Sequence, residues 1–212
     1  MIKQIWFDFG NIFIPIFPER TQESFEKRGV QLSKSDFQIL NEDYEIGALT
    51  TQQFFQNIAV SCKYLQSSRA VEIGWDALLG ELNDDTLFLR NLSRNYATCL
   101  VSNTNEAHIK TIQKTAGSFL WHAFTHQFDR LFLSYQMGMR KPNANYFEHV
   151  LEKMEAVPEE VLFIDDTPAN LVAAEALGIH TWQFNIHEGE LEGELGAVLA
   201  KLNKSAPSIL GV

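Results

Sequence analysis

Residues 2–11 read IKQIWFDFGN, an apolar run that leads into an aspartate, a glycine and an asparagine. The apolar part is too short and too continuous for an amphipathic helix, and it is typical of a strand that is buried on both faces of a sheet. We predict five such strands along the chain, at residues 2–9, 97–101, 131–134, 161–164 and 181–184.

Amphipathic segments separate these apolar runs. Residues 105–116, 143–155 and 168–177 repeat apolar side chains at helical spacing. Gly117 and Gly178 follow two of these segments, at the position where a left-handed C-terminal cap is expected. This strand–helix–strand order predicts an α/β fold, in which a Rossmann-like parallel sheet is flanked by helices on both faces.

Residues 18–95 interrupt this order because they contain no convincing strand. Ser33 and Thr50 begin capping-box patterns there, so each is predicted to start a helix. We therefore predict a small helical cap subdomain at residues 18–95, inserted into an α/β core made of residues 1–17 and 96–212.

The composition and the charge exclude several classes of protein. Of the 212 residues, 45% are apolar and 12% are aromatic, which argues against a disordered chain. The 17 basic and 27 acidic side chains give a net charge of −10, so we expect neither nucleic acid nor a membrane surface as a partner. No apolar run approaches the ~20 residues that a helix needs to cross a bilayer.

The cysteines and the opening residues favour a reducing compartment. Cys62 and Cys99 lie far apart in apolar segments, so we expect buried free thiols rather than a disulfide or a zinc site. Residues 1–10 lack the features of a secretory signal and are predicted as a mature first strand. We therefore expect a cytoplasmic protein.

Polar side chains follow four of the predicted strands. They are Asp8, the pair Ser102-Asn103, Lys141 in a following loop, and the pair Asp165-Asp166. The carboxyl ends of parallel strands form one edge of a sheet, and ligands bind at that edge. Taken singly, each residue is more typical of a helix cap, a turn or a solvated loop. The conjunction of acids, a hydroxyl and an amine predicts a site.

Four segments resemble, in order and spacing, the four motifs of the haloacid dehalogenase-like (HAD) hydrolase superfamily. They are Phe7-Asp8-Phe9-Gly10-Asn11, residues 100–105 (LVSNTN), residues 138–142 (GMRKP) and residues 163–170 (FIDDTPAN). The helical insertion falls where the cap of subfamily I members belongs. Within the superfamily, the set is similar to bacterial sugar-phosphate phosphatases, including the α-D-glucose-1-phosphate phosphatase type.

The resemblance implies a Mg²⁺-dependent phosphatase that hydrolyses a small phosphorylated metabolite, such as a sugar phosphate, through an aspartyl-phosphate intermediate. It assigns the nucleophile to Asp8 and the metal ligands to Asp8, the Gly10 carbonyl and Asp166. Phosphate would be bound by Ser102, the amide of Asn103 and Lys141, with Asp165 and Asn170 in support. These residue types suit phosphoryl transfer, which needs an in-line nucleophile, a divalent cation and donors to the phosphate oxygens.

Gly10 departs from the common phosphatase motif, in which a second aspartate at this position protonates the leaving group. Positioned proton transfer contributes typically ~10²- to 10⁴-fold to a rate. Without it, we expect a preference for esters with good leaving groups, such as anomeric sugar phosphates.

Two other functions remain open on the sequence. A 2-haloacid dehalogenase would also use Asp8, but attack at carbon needs no metal, so the acid pair argues against it. A noncatalytic phospholigand-binding protein would explain Gly10.

Other polar and aromatic groups are interpreted as structural. His122 and His126 lack the acidic partner of a zinc motif and are expected at or near the surface. Glu42, Asp43 and Glu45 could contact sugar hydroxyls, but a solvated helix face is the favoured interpretation. The tryptophans, Trp75 among them, are expected in the core or at the boundary between subdomains.

Overall fold

A five-stranded parallel sheet forms the centre of the protein. The computed structural model describes residues 1–64 and 66–205. Its strands are β1 (Gln4–Phe7), β2 (Ala97–Ser102), β3 (Arg130–Leu133), β4 (Val161–Asp165) and β5 (His180–Gln183). They lie in the order β3-β2-β1-β4-β5, and each neighbouring pair is parallel. The five predicted strands are confirmed, although the first is shorter than residues 2–9.

The described residues contain ten α-helices: α1 (Pro18–Arg28), α2 (Lys34–Glu45), α3 (Thr51–Ser61), α4 (Ser68–Trp75), α5 (Thr86–Leu92), α6 (Glu106–Thr125), α7 (Ser134–Met137), α8 (Ala144–Lys153), α9 (Pro168–Glu175) and α10 (Leu191–Ser205). The helices predicted at 105–116, 143–155 and 168–177 are confirmed as α6, α8 and α9. The predicted end at Gly117 is a break within α6, because the non-helical backbone of Gly117 (φ 78°, ψ 156°) separates two helical segments.

Successive side chains of β1 face opposite sides of the sheet, as the pleat requires. Ile5 and Phe7 pack against α5, α6 and α10 on one side, whereas Trp6 packs against α8 and α9 on the other. All three side chains are fully buried. The prediction of helices on both faces of the sheet is therefore confirmed.

Helices α1 to α4 enclose a third, largely aromatic cluster. The predicted helix starts are confirmed, since Ser33 Oγ accepts a hydrogen bond from the amide of Asp36 (3.1 Å) and Thr50 Oγ1 accepts one from the amide of Gln53 (3.2 Å). The boundaries of the cap at 18–95 stay a prediction. Leu89 of α5, which falls inside those boundaries, packs into the core cluster on the sheet.

The register of the sheet brings the functional strand ends level with one another. Phe7 is paired with Leu100 of β2 and with Ile164 of β4. The amide of Asp8 then donates to the carbonyl of Ile164 (2.8 Å). As a result Asp8 and Asp165, each one residue further along the chain, lie side by side at the carboxyl edge.

The thiols of Cys62 and Cys99 are both free, as predicted, although Cys62 is half-buried and Cys99 is fully buried. Within residues 1–64 and 66–205, no helix combines the length and the apolar character that crossing a membrane would require.

Candidate active site

A cavity of about 420 Å³ lies where the carboxyl edge of the sheet meets the helical cap. Its lining includes the core residues Asp8, Gly10, Ser102, Asn103, Arg140, Lys141 and Asn170, and the cap residues Asn41, Glu45 and Trp75. The structure thus brings most of the predicted site residues around one cavity. Because the sheet edge and the helices α2 and α4 both contribute to its walls, a bound molecule would contact the sheet edge and these helices together.

Lys141 connects the two acidic motifs at the base of this site. Its Nζ donates to Asp8 Oδ1 (2.8 Å), to Asp165 Oδ2 (2.6 Å) and to the carbonyl of Val101 (2.8 Å). The side chain is 1% exposed. Three acceptors match the three protons of an ammonium group, so Lys141 is a fully bonded buried cation rather than a solvated loop lysine.

The electrostatics of this network follow from its burial. Burial raises the pKa of Asp8 to about 7, a rise that Lys141 opposes and Asp165 reinforces. Burial by itself would lower the pKa of Lys141, but the two adjacent carboxylates raise it above its ordinary value. The lysine therefore stays charged beside Asp8. A further cation next to Asp8 would lower its pKa and favour the carboxylate form.

The acid pair divides into one buried and one half-buried carboxylate. Asp165 is fully buried, and it accepts hydrogen bonds from the Thr167 amide (2.8 Å) and from Asn170 Nδ2 (3.1 and 3.0 Å) besides the lysine. Asp166 is bound less completely, by Asn11 Nδ2 (2.8 Å) and by Thr167 Oγ1 (3.0 Å). This arrangement agrees with adjacent side chains at a strand end that point apart.

Three carboxylates are close enough to hold a metal ion. Asp8, Asp165 and Asp166 each offer an oxygen that lies within 4.8 Å of the others. Carboxylate oxygens are the ligands that Mg²⁺ and Ca²⁺ prefer. Asp165 is fully buried and bonded to Lys141, whereas Asp166 is half-buried and accepts from the uncharged side chains of Asn11 and Thr167, so Asp8 and Asp166 are the more accessible ligands for an ion.

Ser102 ends β2 and Asn103 follows it, on the opposite side of Asp8 from the acid pair. Ser102 is buried at the cavity wall, 2% exposed. The side chain of Asn103 exchanges two hydrogen bonds with the backbone of Lys141, at 2.8 and 2.9 Å. That side chain therefore fixes the loop that carries the lysine, which leaves the Asn103 backbone amide as the group with which this residue could bind a ligand.

Glu45 does not belong to a solvated helix face, and that interpretation is corrected by the structure. Its side chain is only 15% exposed, and its Oε2 accepts a hydrogen bond from Arg140 Nε (2.9 Å). Glu42 also pairs with Arg140, at 3.1 Å. The reason is tertiary: α2 packs this side toward the loop before Lys141, so its acids meet a cation from the core.

Sequence reasoning missed a group of polar residues where the cap joins α6. The imidazole of His108 stacks on the ring of Trp75 (centroids 5.0 Å apart, planes 11° apart) and faces Asp76. His108 lies in the first turn of α6, directly after the motif that ends at Asn105. That position, at the carboxyl edge of the sheet, is the signal that could have identified it.

Known proteins resemble this chain over most of its length. A D-ribitol-5-phosphate phosphatase of Bacteroides thetaiotaomicron is 27% identical over 86% of this chain and 92% of its own. The crystal structure of a HAD family enzyme from the same organism, a magnesium complex, has a TM-score of 0.79 and 32% identity over 88% of this chain and 95% of its own. A HAD-like hydrolase structure from Porphyromonas gingivalis has a TM-score of 0.81 and 28% identity over 94% and 98% of the two chains.

The family assignment rests on a match to a protein family. Residues 18–178 match the family described as haloacid dehalogenase-like hydrolase. This match spans more than half of the chain and includes the motif segments at residues 100–105, 138–142 and 163–170, whereas the first motif, with Asp8 and Gly10, lies before it. The chain belongs to the haloacid dehalogenase-like hydrolases.

Proposed function

We propose that this hydrolase is a Mg²⁺-dependent phosphatase of the cytoplasm, which cleaves a small phosphorylated metabolite, a sugar phosphate, through an aspartyl-phosphate intermediate. The observation that carries the proposal is the buried arrangement in which Lys141 Nζ holds Asp8 and Asp165 together, with Asp166 beside them. Such a site combines a carboxylate nucleophile with a fixed positive charge and a second accessible carboxylate, that of Asp166.

Asp8 is the nucleophile in this proposal. Its carboxylate oxygen forms a bond to phosphorus while the ester bond between phosphorus and the leaving oxygen breaks. Water then attacks the phosphorus of the aspartyl phosphate, which returns Asp8 as a carboxylate and releases inorganic phosphate. Lys141 holds Asp8 in place through a 2.8 Å hydrogen bond and stabilises its ionised form.

The oxygens of Asp8, Asp166 and the Gly10 carbonyl would hold the magnesium ion. Their chemistry fits, because hard divalent cations prefer oxygen ligands and two of these groups are carboxylates. When bound, the ion offsets the negative charges of the nucleophile and the phosphoryl group. Ser102 and the Asn103 amide bind the phosphoryl oxygens, and Lys141 offsets their negative charge from beside Asp8, while Asp165 and Asn170 keep the lysine in position.

The size of the cavity supports a small substrate. A volume of about 420 Å³ accommodates a metabolite and not a folded phosphoprotein or a nucleic acid. The chain's net charge of −10 also disfavours polyanionic macromolecules. The relative that is named as a ribitol-5-phosphate phosphatase adds support for a phosphorylated sugar or polyol.

A phosphate-release assay over a panel of phosphorylated metabolites tests this proposal, with Mg²⁺ and with a chelator. We expect release only with the metal, and loss of release in Asp8→Asn, since an amide is not a competent nucleophile. Asp36→Asn, which makes the same change at an exposed position of α2, is the matched control and should keep full activity. Activity of Asp8→Asn within tenfold of wild type would refute the covalent mechanism. Release of halide from a 2-haloacid in the presence of the chelator would instead favour a dehalogenase.

A further inference from the structure

The polar atoms that the fold leaves without partners are gathered at the active-site cavity. Among residues 1–64 and 66–205, four buried side-chain atoms have no hydrogen-bond partner: Asn41 Oδ1, Trp75 Nε1, Asp76 Oδ1 and His108 Nε2. Asn41, Trp75 and His108 line the cavity, and Asp76 Oδ1 lies 3.9 Å from His108 Nε2. We refer to these four residues as the orphan cluster.

Unpartnered polar atoms are costly in a protein interior, and folded proteins contain few of them. Their concentration around one cavity indicates that a polar ligand completes them. Trp75 strengthens this reasoning because its side chain is 95% withdrawn from solvent, at 5% exposure, and it is also fixed by ring contacts with Phe25 and Phe54. An indole held this firmly cannot turn to find another acceptor.

Local hydrogen bonds determine which atoms of the orphan cluster donate and which accept. Asn105 Oδ1 accepts from the amide of His108 (3.0 Å), so its Nδ2 is the atom that faces His108 Nδ1 (3.1 Å). His108 Nδ1 is therefore an acceptor, and the ring proton lies on Nε2. Asn41 Nδ2 donates to Glu45 Oε1 (3.1 Å), which leaves Asn41 Oδ1 as an acceptor.

The orphan cluster consequently presents an N–H donor from Trp75 and two oxygen acceptors, from Asn41 and Asp76, together with the His108 N–H, which lies close to the Trp75 backbone and 3.9 Å from Asp76 Oδ1. Hydroxyl groups both donate and accept, so a polyhydroxylated chain can satisfy such a mixed set. An apolar chain would leave all four atoms without partners. A second anionic group placed at these atoms would be repelled by the carboxylate of Asp76.

We propose that the orphan cluster binds hydroxyl groups on the part of the substrate remote from the phosphate, and thereby selects neutral sugar or polyol monophosphates over alkyl, isoprenoid and acidic phosphate esters. The inference rests on the proposed phosphatase function and assigns its specificity to particular atoms. Asn41, Trp75 and Asp76 come from the cap side, whereas His108 comes from α6 of the core. The same hydroxyl groups would thus be held by both subdomains.

The test compares two esters of equal chain length, a pentitol 5-phosphate and n-pentyl phosphate, which differ in their hydroxyl groups. We expect the wild-type protein to show a kcat/KM for the pentitol ester at least ~100-fold higher, because sites built to hydrogen-bond hydroxyls reject analogues that lack them. Trp75→Phe removes one donor and keeps an aromatic ring against His108. It should reduce the ratio of the two kcat/KM values at least tenfold, mainly through the KM of the pentitol ester.

Two further variants make the result decisive. Trp182→Phe removes an indole N–H on β5, outside the cavity, and should leave the ratio unchanged. Asn41→Leu removes an acceptor from α2 and should lower the ratio independently of Trp75. Circular dichroism confirms that each variant is folded.

Each possible outcome bears on the proposal. The assignment would be overturned if the wild type turned over the two esters equally, or if Trp75→Phe and Asn41→Leu lowered kcat/KM equally for both esters. Hydrolysis of p-nitrophenyl phosphate, used as a reporter, would show in that case that the phosphatase function itself still holds. If neither that reporter nor any other ester released phosphate, the proposed function would fail first, and this inference would fall with it.

Discussion

Replacing Asp76 by asparagine should change the pH dependence of the free energy of unfolding in a defined direction. Burial raises the pKa of Asp76 from 3.8 to about 6, although a hydrogen bond from Thr111 (2.6 Å) opposes the rise. The folded protein therefore holds a proton that the unfolded chain releases, and the stability that this proton provides is lost as the pH rises from about 4 through about 6. At 1.36 kcal/mol per pKa unit, the loss is about 3 kcal/mol.

His108 acts in the opposite direction in the same pH range. Burial lowers its pKa from 6.5 to about 4, so the folded protein binds the imidazole proton less readily than the unfolded chain does. The contribution of His108 to the free energy of unfolding therefore increases between about pH 4 and 6.5, again by about 3 kcal/mol. The two effects nearly cancel in the wild type. Above about pH 6 the pair, 3.9 Å apart, consists of an ionised Asp76 and a neutral imidazole rather than two ions.

Single substitutions should separate the contributions of Asp76 and His108 to the pH dependence of the free energy of unfolding. Relative to wild type, Asp76→Asn should gain about 3 kcal/mol of stability between pH 4 and 6, because it lacks the group whose contribution declines. His108→Gln should lose about as much between pH 4 and 6.5. Urea denaturation of the three proteins at half-unit pH intervals measures both differences, and groups common to all three cancel. Differences that do not vary with pH, or that have the same sign in both variants, would refute this reasoning.

Three further predictions follow from the site and the cap. In single-turnover kinetics, the wild type should cleave a hexose 1-phosphate faster than the same hexose 6-phosphate, and Gly10→Asp should reduce this difference in rate. A Cβ at Gly10 would lie 3.1 Å from Ile16 Cγ1, so the substitution requires only a small shift of that side chain. A wild type that prefers the 6-phosphate would contradict the role given to Gly10. Asp166→Ala should lose phosphate release that added Mg²⁺ restores only in part, whereas full activity at low Mg²⁺ would remove Asp166 from the metal site. Gly47→Ala should lower the free energy of unfolding by more than ~1 kcal/mol, because Gly47 has φ +71° and a Cβ there would overlap the Tyr135 carbonyl. Gly196→Ala on α10 is the unstrained control and should not lower the free energy of unfolding.

The sheet and the motif residues could be predicted because their signals are local. Each strand is a continuous apolar run, and the polar residue that ends it lies at the sheet edge wherever strands are parallel. Asp8, Lys141 and Asp165 therefore meet as the sequence predicts. Asp165 is the residue of the acid pair that bonds Lys141, and that choice follows from strand geometry.

The partners across the cap and the core could not be predicted in the same way. Arg140 and Glu45 are 95 residues apart, and nothing in the helical pattern of α2 indicates that an acid there will meet a basic loop residue. Trp75 and His108 present a similar case, since their stacking depends on how the end of α4 docks on α6. Helical periodicity identifies which face of a helix is apolar, but it does not identify what the polar residues at its edges will contact.

The most direct test of the central claim is the detection of a phosphoryl group on Asp8. The wild-type protein is mixed with Mg²⁺ and its best phosphate ester, quenched in acid within the first turnover, digested and analysed by mass spectrometry. We predict that the peptide containing Asp8 carries one phosphoryl group, and that this species disappears at the rate at which inorganic phosphate is released. Phosphate release with an unmodified Asp8 at every quench time, or a phosphoryl group on a different residue, would contradict the account.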